Sequence, residues 1–334
     1  MKLIKPKPKD FNQTLAYIKK MKRYYYIITI LILLIASCGE QKSSFDSQLK
    51  IENDNLRNEI TKLETQIQLT DNLKQTSLVT IANTDVKELT SKFNNQKYHI
   101  KISYPKGYFK NKEKNYPVLY VIDAETNFGG VSYIVQRLIK DKLIPEILVV
   151  GIAYNTDYSN FYRLRSRDLT PVEDKDLRMG NKNVDPTGGA PKFCDFLEFE
   201  LFPFIEKEYR TNKEDRAIYG HSYGGLYGSY VLLDKPHLFN KYLLLGPSLW
   251  YKDKLLVNQA FLDESLNFSK PAKLYMASGE LDLRINDYQE EFVKILKDKN
   301  LSDLKIKSEV VENETHRTIF GVGFTNGLRF IYGK

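Results

Sequence analysis

Three hydrophobic patterns follow one another along the chain. The first is a solid apolar run, Ile27 to Ala36, interrupted only by Thr29. Ten residues are too few to span a bilayer as a helix and suit the core of a signal peptide. The second is a spaced pattern in an otherwise polar stretch. Leu49, Leu56 and Leu63 recur every seven residues, with Ile60 and Ile67 at the intervening step. This predicts a helical stalk over residues 49–70, either a coiled coil joining copies of the chain or a single solvated helix.

The third pattern begins near residue 81 and alternates short apolar runs with amphipathic stretches. Tyr98 to Tyr104 alternates apolar and polar residues, as an edge strand does. Tyr116–Asp123 and Glu146–Ala153 are almost continuously apolar, as buried parallel strands are. Further strands are predicted at 216–219, 241–245, 272–278 and 305–311, with helices near 131–140, 191–209, 225–233 and 287–297. Strand–helix alternation predicts a doubly wound α/β domain, with a mostly parallel central sheet flanked by helices. The expected organisation is a leader over 1–37, a helical linker over 38–80 and a catalytic domain over 81–334.

Charge changes the picture at one end only. The chain of 334 residues carries a formal charge of +8. Residues 1–37 hold eight Lys or Arg and one acid, so without them the charge falls to +1. Nucleic-acid binding therefore has no electrostatic support in the rest of the chain. The basic Met21-Lys22-Arg23, a better start than Met1, precedes the apolar run, which ends in Ile35-Ala36-Ser37-Cys38. An aliphatic residue, two small residues and a cysteine resemble the lipobox of bacterial lipoproteins. That resemblance implies lipidation of Cys38 and a cell-envelope protein held to a membrane by its lipid; a plain secretory leader is the other reading. The second cysteine, Cys194, lies in an apolar helical stretch and reads as a buried thiol.

The densest chemical signal is Gly220-His221-Ser222-Tyr223-Gly224, a G-x-S-x-G between a predicted strand and a predicted helix. That context makes a nucleophile elbow, a strained turn that lifts a serine hydroxyl off the sheet edge. Gly220 and Gly224 are expected to let strand and helix approach. A serine needs a base. Of four histidines, His316 follows the last strand and is the expected base, while His221, beside the serine, is expected to point elsewhere. The acid should follow the penultimate strand, where Glu280 and Asp282 both qualify. The G-x-x-D spacing of Asp282 clears the strand end, so Asp282 is preferred. For the oxyanion, the amides of Tyr223 and of Glu125, after the 116–123 strand, are the expected donors.

These residues, with Arg165-Ser166-Arg167-Asp168, Gly188-Gly189-Ala190, Pro236-His237-Leu238-Phe239 and Gly246-Pro247-Ser248-Leu249-Trp250, resemble one esterase branch of the α/β-hydrolases. It contains trilactone siderophore esterases and esterase D-like proteins. The resemblance covers about residues 97–332 and implies a serine carboxylic-ester hydrolase without cofactor or metal, its nucleophile, acid and base at Ser222, Asp282 and His316. A glycine usual in the oxyanion loop is Ala124 here. Arg165 and Arg167, expected in a loop near the serine, could hold an anionic catecholate or carboxylate, and Trp250 could stack on an aryl ring. The expected substrate is a small-molecule ester, a ferric siderophore first. Acyl transfer by the same serine, or a non-catalytic hydrolase fold used for binding, are the alternatives.

Overall fold

The computed structural model describes residues 19–20, 22–27, 29, 43–77, 80–179, 182–183, 186–262, 266–268 and 270–333. The chain divides into two units, residues 1–80 and 81–334. In the first, Ser43–Ser77 forms a single helix, α1. Its less exposed stripe runs through Asn53, Leu56, Ile60, Leu63 and Ile67, and Ile60 is buried. Lys22 pairs with Glu64 at 2.6 Å, and Asn53 donates to Thr29 at 3.2 Å. Cys38 lies outside the described residues. Among the described residues no helix is long and apolar enough to cross a membrane.

The second unit is built on an eight-stranded sheet. Its strands are β1 (Thr84–Thr90), β2 (Lys97–Ser103), β3 (Tyr116–Val121), β4 (Leu148–Ala153), β5 (Thr211–His221), β6 (Lys241–Leu245), β7 (Ala272–Gly279) and β8 (Leu304–Val311). Their spatial order is β1-β2-β4-β3-β5-β6-β7-β8. β1 and β2 pair antiparallel, β2 meets β4 antiparallel, and all remaining pairs are parallel. The 98–104 segment is thus the second strand. The true edge, Thr84–Thr90, is polar at most positions and gives little hydrophobic signal.

Parallel strands need helices on both faces, and the period of two assigns side chains to each. Leu119, Val121, Val149, Ala217, Tyr219, Leu243 and Leu245 pack on one side with α2 (Ala124–Lys140) and α9 (Ile319–Tyr332). Tyr120, Val150, Ile218, Leu244 and Met276 pack on the other with α4 (Ala190–Phe196), α5 (Phe202–Glu208), α6 (Tyr223–Asp234) and α8 (Leu283–Asp298). α4 and α5 are joined by a π turn, Leu197–Leu201, just before Pro203. Proline offers no N–H, and a widened turn absorbs that break without ending the helix.

One helix occurs where the sequence suggested a loop, and another in a stretch to which the sequence assigned no element. α3 (Tyr158–Leu169) follows β4, started by the Asp157 carboxylate accepting from the Asn160 amide at 3.0 Å. α7 (Tyr251–Leu262) follows Trp250 and is kinked near its start, where Lys252, Asp253 and Lys254 have a left-handed backbone. Arg165 and Arg167 therefore stand on a helix, which fixes their directions. Because β3 to β8 run parallel, their C-terminal ends gather at one edge, where open α/β sheets bind ligands.

Candidate active site

Strand β5 ends at His221 and α6 begins at Tyr223, so one residue, Ser222, makes the whole turn. Its backbone has φ 60° and ψ −115°, a region costly for a residue with a Cβ. Three bonds hold it there. The Ser222 amide donates to Leu245 O at 3.0 Å, and the Ser222 carbonyl accepts from Leu226 at 2.9 Å and Ser248 at 3.2 Å. Gly220 is essential to this closeness, since a Cβ there would stand 2.1 Å from the Gly224 carbonyl. Gly224 itself meets only ordinary contacts, so its carbonyl rather than its missing side chain does the crowding. The Tyr223 amide, in the first turn of α6, has no acceptor within the helix.

Asp282 precedes α8, and His316 lies on the turn between β8 and α9. His316 Nδ1–H donates to Asp282 Oδ2 at 2.6 Å. Glu280 does different work: its Oε2 accepts from the Asn313 amide at 3.0 Å and shapes the turn carrying His316. Ser222 and His316 line one cavity of about 400 Å³, together with Asp123, Thr126, Asn127, Phe161, Tyr162, Arg165, His221, Arg317 and Phe320. Ser222 Oγ stands 3.4 Å from Ser248 Oγ.

The other expected site residues divide. Glu125 is not on the cavity wall. α2 starts at Ala124, so position 125 is already turned around the helix, and its carboxylate accepts from the Tyr154 and Asn155 amides. Burial raises its pKa above the ordinary value despite those bonds. The turn reaches the cavity through Asp123, Thr126 and Asn127 instead. Ala124, in the place of the usual glycine, is accommodated because Gly151 opposite has no Cβ; one there would come within 2.8 Å of the Ala124 methyl.

Arg165 lines the cavity, but its guanidinium is committed to Asp123. Nε donates to Oδ1 at 2.9 Å and Nη2 to Oδ2 at 2.7 Å, with both side chains buried. Asp123 itself has a left-handed backbone, φ 55° and ψ 48°. Arg167 is turned off the cavity and paired with its neighbour Asp168 at 2.6 Å. Trp250 is half-buried beside the elbow, its ring 6.2 Å from Tyr223 and capped by the Arg284 guanidinium at 4.7 Å.

His221, set aside from sequence, joins the cavity. Its Nε2 lies 2.5 Å from the His316 carbonyl, and the two rings are 4.7 Å apart. Burial, and then the neighbouring His316, push its pKa down to about 4, although the hydrogen bond to the His316 carbonyl works the other way. The signal was there in the strand period. Ala217, Tyr219 and His221 share the face on which Tyr219 packs against Phe324 of α9, 4.7 Å away. Arg317 has no carboxylate partner among the described residues, and no sequence pattern marked it.

The model of the family described as "Putative esterase" matches residues 91–319. The chain belongs to this family. The esterase is 33% identical over 266 residues to the ferri-bacillibactin esterase BesA of Bacillus subtilis, covering 75% of this chain and 90% of that protein. It is 26% identical over 273 residues to the siderophore enterobactin esterase of Emericella nidulans, covering 70% and 89%. Among solved structures, an IroE-like serine hydrolase from Shewanella oneidensis superposes with a TM-score of 0.65 at 30% identity, covering 74% of this chain and 79% of that one. The fold is that of the α/β-hydrolases, with the strand order described above.

Proposed function

We propose that this esterase hydrolyses siderophore esters through Ser222, His316 and Asp282. The observation that carries this reading is one cavity holding a serine on a strained elbow and a histidine whose far nitrogen is held by a carboxylate. In the first half-reaction Ser222 Oγ attacks the ester carbonyl carbon while His316 Nε2 takes its proton. The imidazolium so formed is stabilised by Asp282. The oxyanion is received by the Tyr223 amide at the start of α6 and by a donor from the turn that opens α2. As the carbon–oxygen bond breaks, His316 gives its proton to the leaving alkoxide. In the second half, His316 takes a proton from water, the hydroxide attacks the acyl carbon, and the proton returns to Ser222 as the acid leaves.

Two features support a siderophore substrate beside the names of the relatives. Phe161, Tyr162 and Phe320 offer flat walls for aryl groups, and Arg317 offers an exposed cation at the same cavity. A ferric tris-catecholate is both aryl-rich and anionic. Arg165 and Arg167 are already neutralised by carboxylates, so Arg317 takes over the anion-binding role expected of them. The test is hydrolysis of a catecholate trilactone, with and without iron, by the wild type and Ser222→Ala. We expect linear acyl-serine or acyl-threonine products from the wild type and a loss of at least about 10³-fold in the variant. Full activity in Ser222→Ala would sink the mechanism; a wild type active on p-nitrophenyl butyrate but not on the trilactone would sink the substrate. The cellular part of the proposal is acylation of Cys38, which would hold the esterase to a bacterial membrane. Labelled palmitate that enters the wild type but not Cys38→Ser is the expected result.

A further inference from the structure

The turn that carries His316 is mostly solvent-facing: Glu312, Asn313, Thr315, Arg317 and Thr318 are all exposed. An imidazole on such a turn needs tethers to stay within reach of a serine on another strand. Several hold the neighbouring residues. Leu281 donates its amide to Glu314 O at 2.9 Å, Glu280 accepts from Asn313, and the Thr315 amide donates to Thr318 Oγ1 at 2.8 Å. The Asp282 bond holds the ring of His316. The backbone of residue 316 itself is held by His221, whose Nε2–H donates to its carbonyl at 2.5 Å.

We infer that His221 is a positioning residue, linking the backbone of His316 to the end of the strand that presents Ser222. The inference rests on the reading of Ser222 and His316 as nucleophile and base. The geometry is direct: residues 221 and 222 are adjacent at one strand end, so anchoring His316 to His221 sets the Ser222–His316 separation through one peptide bond, the His221 side chain and one hydrogen bond. The half-buried ring suits this role because it stays neutral at working pH, and its carbonyl acceptor fixes the proton on Nε2. With that nitrogen engaged, His221 does not compete with His316 for the serine proton. The side chain also fills space, its ring lying 4.7 Å from that of His316.

Two substitutions separate anchoring from packing. Glutamine places an amide N–H close to where histidine places Nε2, whereas leucine fills the space and donates nothing. With a p-nitrophenyl ester, H221L is expected to lower kcat about 10- to 100-fold with KM within about twofold, because a misplacement of about 1 Å costs on that order. H221Q is expected to retain kcat within about fivefold. Proton NMR supplies a readout that needs no substrate. The low-field Nδ1 proton of His316, shared with Asp282, is expected in the wild type and in H221Q and absent in H221L. Should H221L not fold, H221N replaces it, since its shorter amide falls short of the His316 carbonyl. An unchanged kcat or an intact low-field resonance in H221L overturns the inference, as do equal losses in H221L and H221Q. A wild type that hydrolyses no ester, with resonances following the expected pattern, would remove the functional reading and leave the anchoring in place.

Discussion

At the scale of single residues, the two histidines of the cavity are set apart by their partners, His316 bonded to a carboxylate and His221 to a backbone carbonyl. Burial holds His221 at a pKa of about 4, against an unfolded value near 6.5. Below pH 6.5 the unfolded chain takes up a proton that the folded chain refuses. Stability is therefore complete above about pH 6.5 and lost progressively as the pH falls toward 4. The shift amounts to about 3 kcal/mol at most. Urea titrations at pH 7 and pH 4.5 should show the wild type losing stability over this window, with this share of the loss missing from H221L. The two carboxylates near His316 differ as sharply. On the proposed mechanism, Asp282→Asn should lower kcat by about 10²- to 10⁴-fold, since it removes the group that would orient and stabilise the imidazolium. Glu280→Gln keeps an acceptor for the Asn313 amide and should stay within about threefold of the wild type. Steady-state kinetics on p-nitrophenyl butyrate check both. Cys194, its pKa pushed up to about 12 chiefly by burial, should not react with a thiol reagent until the protein unfolds.

At the scale of elements, the site depends on how α2 and α3 are tied together. Asp123 stands in a left-handed turn at the start of α2, and Arg165 reaches across from α3 to bind both of its oxygens. The guanidinium also lies over Tyr223, 5.2 Å from its ring centre, so the same group braces the elbow. Arg165→Met would leave the Asp123 carboxylate buried without its cation. Breaking a buried pair in this way costs about 3–5 kcal/mol. Chemical denaturation is expected to show a loss of that order, and Asp123→Asn in the Arg165→Met background is expected to recover part of it. These assignments could not be read from the chain because residues 123 and 165 are 42 positions apart. Arg165 looked like a free rim cation as long as the 158–169 segment was taken for a loop. That segment, Tyr-Ser-Asn-Phe-Tyr-Arg-Leu-Arg-Ser-Arg-Asp-Leu, has few apolar residues for a helical stripe, yet Phe161, Leu164 and Leu169 are all buried.

At the scale of the whole molecule, a chain starting at residue 81 contains every residue placed at the cavity. The fragment 81–334 is expected to fold and to match the full chain in kcat/KM on a soluble ester. α1 is a helical unit of its own, and we propose that copies of the chain associate through its Leu and Ile stripe. Sedimentation of a chain starting at residue 43 tests this: an oligomer that the 81–334 fragment does not form is expected, and a monomer would make α1 a simple spacer.

What local sequence determined is the set of elements with strong periodicity and the residues bound to a strand end. The near-continuous apolar runs became β3 and β4 because a parallel strand is buried on both faces. The elbow was legible because a serine flanked by glycines stands between a strand and a helix, although of the two glycines only Gly220 is required by the close approach. The placing of Asp282 and His316 at one sheet edge was legible because each follows a parallel strand, whose C-terminal end must open at that edge. The tertiary structure alone decided which groups are free to act. Charge on a side chain is written in the sequence, but its availability depends on what packs against it. Arg165 is taken by Asp123 and Arg167 by Asp168, while Arg317 stays open on the cavity. His221 is joined to His316 across 95 positions. No local pattern encodes such pairings, since they arise when the sheet brings separate strand ends together.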